Sequence, residues 1–238
     1  MSKHNYRSSL GCLVAVLVIT VLLVGCGNKE IGQALTAPSP SLLLLTTDQP
    51  TVQPASTLFV PAPLFDADLD PRAGPVEVPL ELQIPALKVN APVLGVGLNS
   101  INEMDAPRGE IGDPIWHTAF WYRGSGIPGE PGTATFAGHV NDPLGNPEIF
   151  GYLQHLRPGD LIIVHDENAN KDIRFIVDLV KVLSTKETSD PAVRRKIFGA
   201  GPLPAATELS HLTLITCAGN IVGGDYDHHT VVYATRGN

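Results

Sequence analysis

Leu212-Thr213-Leu214-Ile215-Thr216-Cys217 is a run of β-forming residues that ends on a thiol, and it says more about this chain than any other stretch. An earlier segment, Thr135-Phe136-Ala137-Gly138-His139, is also β-forming and ends on an imidazole. A cysteine and a histidine at the ends of two strands, brought together by folding, make an activated thiol nucleophile. The two segments therefore predict cysteine chemistry on a β-rich scaffold, with Cys217 and His139 as the catalytic pair.

Further strands are indicated by alternation and by clusters of β-branched residues. Leu80, Leu82 and Ile84 alternate with Glu81 and Gln83, which is the period-2 pattern of a half-buried strand. The same reasoning gives strands at Val89–Leu94, Thr133–Gly138, Leu161–His165, Ile173–Leu183, Leu212–Thr216 and Val231–Thr235. Seven or eight strands in about 160 residues predict a mainly β fold, a closed or nearly closed barrel of about eight strands with short helices and long loops.

Helical and turn signals are few. Glu167–Asn170 is predicted to be the turn of a hairpin, and Pro147–Leu156 a short helix. Ser189-Asp190-Pro191 is a plausible cap for a helix over Ala192–Phe198, because proline is favoured at the first helical position. Two long segments are left as loops that would contact a substrate: Thr118–Gly129 and Lys186–Pro204.

Composition narrows the class of protein. The 238 residues allow one good-sized domain plus accessory segments. The formal net charge is −8, so nucleic acid is not expected as a partner. Of the three cysteines, Cys217 alone lies in the predicted fold, and an exported domain with one cysteine has no internal disulfide partner. The alternative is a buried, inert thiol, since unpaired cysteine is among the most buried residue types.

The N-terminus has the order of an export signal. Lys3 and Arg7 precede an apolar run from Leu10 to Val24, as in a secretory signal peptide. Leu23-Val24-Gly25-Cys26 resembles a bacterial lipobox, and by that resemblance Cys26 would become the acylated first residue of a lipoprotein. The alternative for residues 1–26 is an uncleaved signal anchor. Both interpretations place the rest of the chain outside the cytoplasm, anchored to the outer face of the bacterial cell membrane.

Residues 27–75 differ in composition from residues 76–238. Pro, Thr and Ser punctuate the earlier stretch without sustained periodicity, as in Ala37-Pro38-Ser39-Pro40. Such a segment is typical of an extended spacer, here an extracytoplasmic linker that holds a domain away from the membrane. The catalytic domain is predicted to cover residues 76–238.

Several short motifs in that domain occur in the order found in one enzyme family. They are Ile84-Pro85-Ala86-Leu87, Ala91-Pro92-Val93, Met104-Asp105-Ala106-Pro107, Gly129 to Gly132, Thr135 to His139, the spaced residues Phe150, Leu153, Leu156, Gly159 and Asp160, and Thr213 to Cys217. Over roughly residues 78–238 the sequence resembles the sortases, bacterial cysteine transpeptidases, and most closely their class F (formerly class E-like) members.

The resemblance implies a two-step reaction. Cys217 would attack a peptide carbonyl as a thiolate, and His139 would protonate the departing amine and later deprotonate the incoming one. In sortases the donor is a surface protein with a C-terminal LPxTG-like sorting signal. The acceptor is an amine of a peptidoglycan precursor or of a pilin lysine. The reaction needs no cofactor, and none is predicted.

One position departs from the family. Sortases carry an arginine near the start of the strand that follows the cysteine strand, where it donates hydrogen bonds to the oxyanion. Here that position falls on or near His229, and no arginine is present there. We predict that His229 takes this role, because removing an oxyanion donor can slow catalysis about 100–1000-fold. Arg236 lies seven residues further along and points to the opposite face of a regular strand. The alternatives left open are His228, Arg123, Arg194 and Arg195.

The pair His228-His229 beside Asp225 and Asp227 raises the question of a metal. Adjacent residues of a strand point to opposite faces, so the two imidazoles chelate a single ion poorly. The cluster is predicted to be a polar loop that leads into the last strand, and no metal site is predicted.

Other functions fit the sequence less well. A papain-like hydrolase places its cysteine before its histidine, whereas here His139 comes first. An L,D-transpeptidase has a His-Gly-Cys signature, but Cys217 follows Ile215-Thr216. A thioredoxin-like lipoprotein needs a Cys-x-x-Cys pair, which the sequence lacks. A function of another class stays open, namely a catalytically impaired sortase-fold lipoprotein that acts as a binding module. The missing arginine favours that alternative, whereas the intact pair of His139 and Cys217 argues against it.

Overall fold

The alternating residues near the start of the domain form a strand whose apolar side chains are buried. The computed structural model describes residues 69–201 and 209–237. Leu80, Leu82 and Ile84 lie in the core, while Glu81 and Gln83 are half-buried. The predicted signal segment, Cys26 and nearly all of the linker lie outside the described residues. No helix within the described ranges is long and apolar enough to cross a membrane.

Eight strands and a few short helices make up the described chain. The strands are β1 Val76–Ile84, β2 Val89–Val96, β3 Ala119–Tyr122, β4 Gly132–Ala137, β5 Leu161–Asp166, β6 Lys171–Ser184, β7 Ser210–Val222 and β8 Asp225–Arg236. The α-helices are α1 Thr185–Thr188 and α2 Pro191–Phe198, and single 3₁₀ turns occur at Pro85–Leu87, Pro114–His117 and Leu153–His155.

The strands close into a barrel in the order β1-β2-β3-β4-β7-β8-β6-β5, with β5 returning to β1. Two neighbouring pairs are parallel, β2 with β3 and β4 with β7, and the other pairs are antiparallel. The prediction of a mainly β, closed eight-strand barrel is confirmed.

Two stretches predicted as loops are strands. Residues Ala119–Tyr122 form β3 inside the predicted loop Thr118–Gly129, and all four are buried. A strand buried on both faces has no alternation in its sequence, which is why the pattern missed it. The last strand begins at Asp225, before the predicted Val231, because Gly223 and Gly224 both adopt positive φ and turn the chain tightly back from β7.

The helices follow their caps. Asp190 accepts hydrogen bonds from the backbone N–H groups of Ala192 and Val193 and so starts α2, as its sequence indicates. α1 was not predicted, although Ser184 and Glu187 form a capping box at its start. The predicted helix over Pro147–Leu156 is mostly irregular, with only the 3₁₀ turn Leu153–His155.

The barrel has apolar residues on both of its faces. Leu212 and Leu214 of β7 point into the interior, where they join the larger core cluster. Ile215 points outward and packs with Met104 of the β2–β3 connection and with Ile197 of α2 in a second cluster. Because side chains of a strand alternate, Cys217 follows Ile215 on the outer face. The site is therefore built outside the barrel, beneath the β2–β3 connection.

Candidate active site

The parallel pairing of β4 and β7 places the histidine and the cysteine together. These strands are parallel neighbours, with Ala137 opposite Ile215, and the N–H of Gly138 donates to the carbonyl of Ile215 at 3.3 Å. β4 ends at Ala137, just before His139, whereas β7 continues to Val222, so Cys217 lies within that strand and not at its end, as the predicted strand Leu212–Thr216 had it. His139 and Cys217 line the same cavity of about 60 Å³.

The ring of His139 is held on three sides. Its Nε2 lies 2.9 Å from the carbonyl oxygen of Pro107, and because a carbonyl can only accept, Nε2 carries the proton. Trp116 packs against the ring at a centroid distance of 4.6 Å, and Phe120 contacts it edge-on at 5.5 Å. In the neutral imidazole, Nδ1 is then the nitrogen that accepts a proton. A backbone carbonyl here orients the imidazole, as a carboxylate does in many catalytic triads.

Burial lowers the pKa of His139 below its ordinary value, because it removes water from the imidazolium. The hydrogen bond to Pro107 opposes this by favouring the charged ring, whereas the nearby positive charge of Arg108 lowers the pKa of His139 further. The net direction is downward, so the neutral imidazole dominates at neutral pH.

Cys217 lies in the C-terminal half of β7, is partly exposed and is not in a disulfide. It contributes to the walls of two cavities. One is the small cavity that it shares with His139, and the other has a volume of about 330 Å³ and lies between the β7–β8 hairpin and the segment after His139. The second cavity is lined by uncharged polar groups that include Asn141, Gln154 and Tyr226, and the Tyr226 hydroxyl donates to Asn141 at 3.1 Å.

His229 lies directly opposite Cys217 in the antiparallel pair of β7 and β8. Residues opposite each other in such a pair project to the same face, and both line the small cavity. His229 is only 3% exposed, and its Nδ1 is 3.3 Å from the hydroxyl of Thr188. His228 has its Nδ1 2.7 Å from Asp227 and does not line this cavity. The structure thus brings His229, and not His228, to the thiol.

Two of the arginines considered as substitutes are engaged elsewhere. Arg123 donates to the carbonyls of Asp70 and Ala73, at 3.4 and 2.8 Å, and Arg236 donates to the carbonyl of Gly129 at 2.6 Å. Arg194 and Arg195 lie on α2.

Arg108 lines the cavity of Cys217 and His139, a position that sequence reasoning did not identify. Its place directly after the Met104–Pro107 motif was the available signal.

No group of three or more His, Cys, Asp or Glu side chains is arranged to hold a metal among residues 69–201 and 209–237.

Comparison with known proteins gives a family. A family model described as a sortase domain matches residues 82–237, which is more than half of the chain. No curated protein matches the chain by sequence.

Similar solved structures include sortase A from Corynebacterium diphtheriae (lid mutant; 20% identity, TM-score 0.48, covering 70% of this chain and 73% of that chain). A Clostridium perfringens sortase D5 transpeptidase has 17% identity and a TM-score of 0.44, with 67% and 78% covered. Sortase C2 of pilus island 1 from Group B Streptococcus has 15% identity and a TM-score of 0.46, with 67% and 73% covered. On the match of the family model, the chain belongs to the sortase family.

Proposed function

We propose that this protein is a membrane-tethered cysteine transpeptidase that cleaves a C-terminal LPxTG-like sorting signal and transfers the donor protein to an amine of the cell surface. The observation that carries the proposal is the cavity shared by Cys217, within β7, and His139, just after the end of the parallel neighbour β4. A thiol and an oriented imidazole in one cavity are the components of covalent acyl transfer.

The proposed steps conserve protons. The Cys217 thiolate attacks the scissile carbonyl carbon, and as the C–N bond breaks the His139 imidazolium, the minority form at neutral pH, gives its proton to the departing amine. Neutral His139 then accepts a proton from the acceptor amine, whose nitrogen attacks the thioester carbonyl while the Cys217 thiolate leaves. His139 is again an imidazolium, and the cycle closes.

Two cavities that both have Cys217 in their walls support transfer to an amine. The small cavity holds the imidazole that exchanges protons, whereas the cavity of about 330 Å³ has uncharged polar walls suited to a second molecule. We assign the scissile amide group of the acyl donor to the first and the acceptor amine to the second. A bound amine at high effective concentration competes with water for the thioester.

His229 is proposed as the donor to the oxyanion. It lies on the same face as Cys217, in the register position directly opposite, and in the protonated state it makes a charge-assisted hydrogen bond. This role replaces that of the family's arginine.

The setting in the cell and the subclass are part of the proposal. Residues 1–26 would serve as a signal peptide with lipid attachment at Cys26, or as a signal anchor, and residues 27–75 as the linker to the catalytic domain of residues 76–238. The chain would then act outside the cytoplasm, on the outer face of the membrane. Within the family we assign the chain to class F, on the resemblance of its motifs from Ile84 to Cys217 as a whole.

A second candidate function is a binding lipoprotein with an impaired site, which the absence of the family's arginine on β8 favours. The test is to incubate the detergent-solubilised full chain with a pool of LPxTG-like peptides and a glycine or diamine nucleophile, and to identify products by mass spectrometry. We expect an amine-linked product that disappears in Cys217→Ala and His139→Ala but persists in His155→Ala, a control on a surface histidine.

Each other result has a separate meaning. Hydrolysed peptide alone would show a working thiol without acceptor binding, and would contradict the transfer step. A chain that forms no adduct on Cys217 with any peptide would favour the binding module.

A further inference from the structure

Thr188 is the residue through which helix α1 reaches the site. It is the last residue of the helix, 5% exposed, and its hydroxyl oxygen lies 3.3 Å from Nδ1 of His229. The helix begins directly after Ser184, the last residue of the long strand β6, and the capping box of Ser184 and Glu187 fixes its first turn. Thr188 is therefore positioned by a single-turn helix whose start is fixed by its capping box.

The hydrogen bonds of Thr188 determine which group donates to which. Its hydroxyl oxygen lies 3.1 Å from the carbonyl of Thr185 and 3.3 Å from that of Ser184. Carbonyl oxygens only accept, so these contacts use the single hydroxyl proton of Thr188. Toward Nδ1 of His229 the hydroxyl then offers a lone pair, and the bond forms only if Nδ1 carries a proton. All of these contacts are satisfied together in that arrangement alone.

The proton on Nδ1 of His229 determines the state of the other ring nitrogen, Nε2. With Nδ1 protonated, Nε2 of a neutral His229 is an acceptor, and it lies on the side of the ring away from α1. His229 faces the same cavity as Cys217 from the opposing register position. The arrangement parallels that of His139, whose Nε2 donates to Pro107 and whose Nδ1 is the acceptor.

We propose that Thr188 is a positioning residue that fixes the tautomer of His229, so that Nε2 faces Cys217 and accepts the proton of its thiol. The inference deepens the proposed function, because it supplies the proton acceptor that generates the thiolate.

The proton balance is simple. The S–H bond of Cys217 breaks, its proton bonds to Nε2 of His229, and a thiolate–imidazolium pair results. The Nε2–H bond then points at the position of the oxyanion, so one proton serves both activation and charge stabilisation. His139 enters the cycle as an imidazolium, gives that proton to the departing amine, and regains one from the incoming amine.

The tautomer is measurable directly. In the detergent-solubilised full chain carrying Cys217→Ala, with ¹⁵N-labelled histidine, spectra at about pH 8.5 report neutral imidazoles. His229 is assigned by comparison with His229→Gln. We expect a protonated Nδ1 and an unprotonated Nε2. In Thr188→Val the two nitrogens should move toward the averaged shifts of mixed tautomers, and Thr188→Ser should restore the original pattern.

A matched control separates positioning from packing. Thr135→Val removes another fully buried hydroxyl that donates to a backbone carbonyl, that of Ile197 at 2.7 Å, without contact to His229. Its His229 spectrum should be unchanged. An Nε2–H tautomer, or an imidazolium, in the Cys217→Ala chain would overturn the inference, as would an unaltered spectrum in Thr188→Val. If Thr188→Val does not fold, the first spectrum still decides.

The second readout is the rate of Cys217 alkylation by iodoacetamide at pH 7 in the chain that retains Cys217. Because the thiolate is the reactive form, we expect Thr188→Val to be alkylated at least about threefold more slowly, and Thr188→Ser and Thr135→Val within about twofold of the unmodified chain. An unchanged rate in Thr188→Val would refute the proton transfer. Neither the histidine spectrum nor the alkylation rate requires a peptide substrate. A chain that gives both expected results but no transpeptidation product would therefore contradict the proposed function and leave the role of Thr188 intact.

Discussion

The hydroxyl of Thr216 donates a hydrogen bond of 2.8 Å to the carbonyl oxygen of Gly138, and so joins the residue before Cys217 to the residue before His139. The bond spans the parallel pair of β4 and β7 at the point where their pairing ends. A side chain at Gly138 would disturb it, because a Cβ there would lie 2.7 Å from the ring of Phe150. The spacing of Cys217 and His139 therefore depends on a side-chain bond as well as on the backbone ladder.

Replacing Thr216 with valine should separate the two groups without changing the volume of the core. We expect Thr216→Val to lose about 1 kcal/mol of stability and about tenfold in the rate of thioester formation, because small displacements of reacting groups are costly. Thr216→Ser should keep most of both. Single-turnover acylation and urea denaturation measure the two effects, and a valine variant with unaltered acylation would show that the bond does not set the geometry.

Removal of the imidazole opposite the thiol should slow the chemistry. We expect His229→Ala to lose about 100-fold or more in kcat/KM for transpeptidation, the magnitude typical of a lost oxyanion donor. His155→Ala serves as the surface control. Transpeptidation at the original rate in His229→Ala would rule out a role for this residue.

The charge of Arg108 should be visible in the titration of its neighbour. Arg108 lowers the pKa of His139, so Arg108→Gln should raise it, whereas Arg108→Lys should leave it close to its original value. NMR titration of ¹⁵N-labelled histidine measures the change. A pKa of His139 that moves equally in both variants would mean that packing, rather than charge, is responsible.

The lowered pKa of His139 also makes folding sensitive to acid. The unfolded chain binds the proton near the ordinary pKa of about 6.5, whereas the folded chain binds it only at lower pH. Stability should therefore fall as pH decreases through 6.5, and this loss should be complete below the folded pKa. The urea midpoint of the unmodified chain should therefore fall between about pH 7.5 and about pH 5.5, on either side of the ordinary pKa, and that of His139→Gln should fall less. An equal fall in both chains would assign the effect to other groups.

The sequence was informative where its pattern had a period or a cap. The alternation in β1 and the Asp190-Pro191 start of α2 were predicted from local chemistry, and both occur. Two strand ends that carry reactive groups, Cys217 and His139, were expected to meet, and they line one cavity. The alternation in β1 and the cap of α2 each lie within a single element, so they can be predicted from the sequence without knowledge of the fold.

The remaining features arise between elements. β3 is buried on both faces and has no alternation to detect. Arg108 and Thr188 reach the site from a connection and from a one-turn helix, and neither residue type signals such a position. The register that sets His229 against Cys217 depends on the tight turn at Gly223 and Gly224 and on a bulge between Ala218 and Ile221, without which Thr230 would lie opposite the thiol. These relations follow from the packing of the barrel.

The placement of β1 between β2 and β5 has a mechanical consequence. Arg123 binds the carbonyls of Asp70 and Ala73 just ahead of this strand, and β1 is bonded on both edges. Antiparallel hydrogen bonds run perpendicular to the strands, so tension applied from the N-terminal side loads both ladders in shear, many bonds at once. A domain pulled through this end resists as a unit instead of unzipping bond by bond, which is the load that the proposed N-terminal attachment would impose.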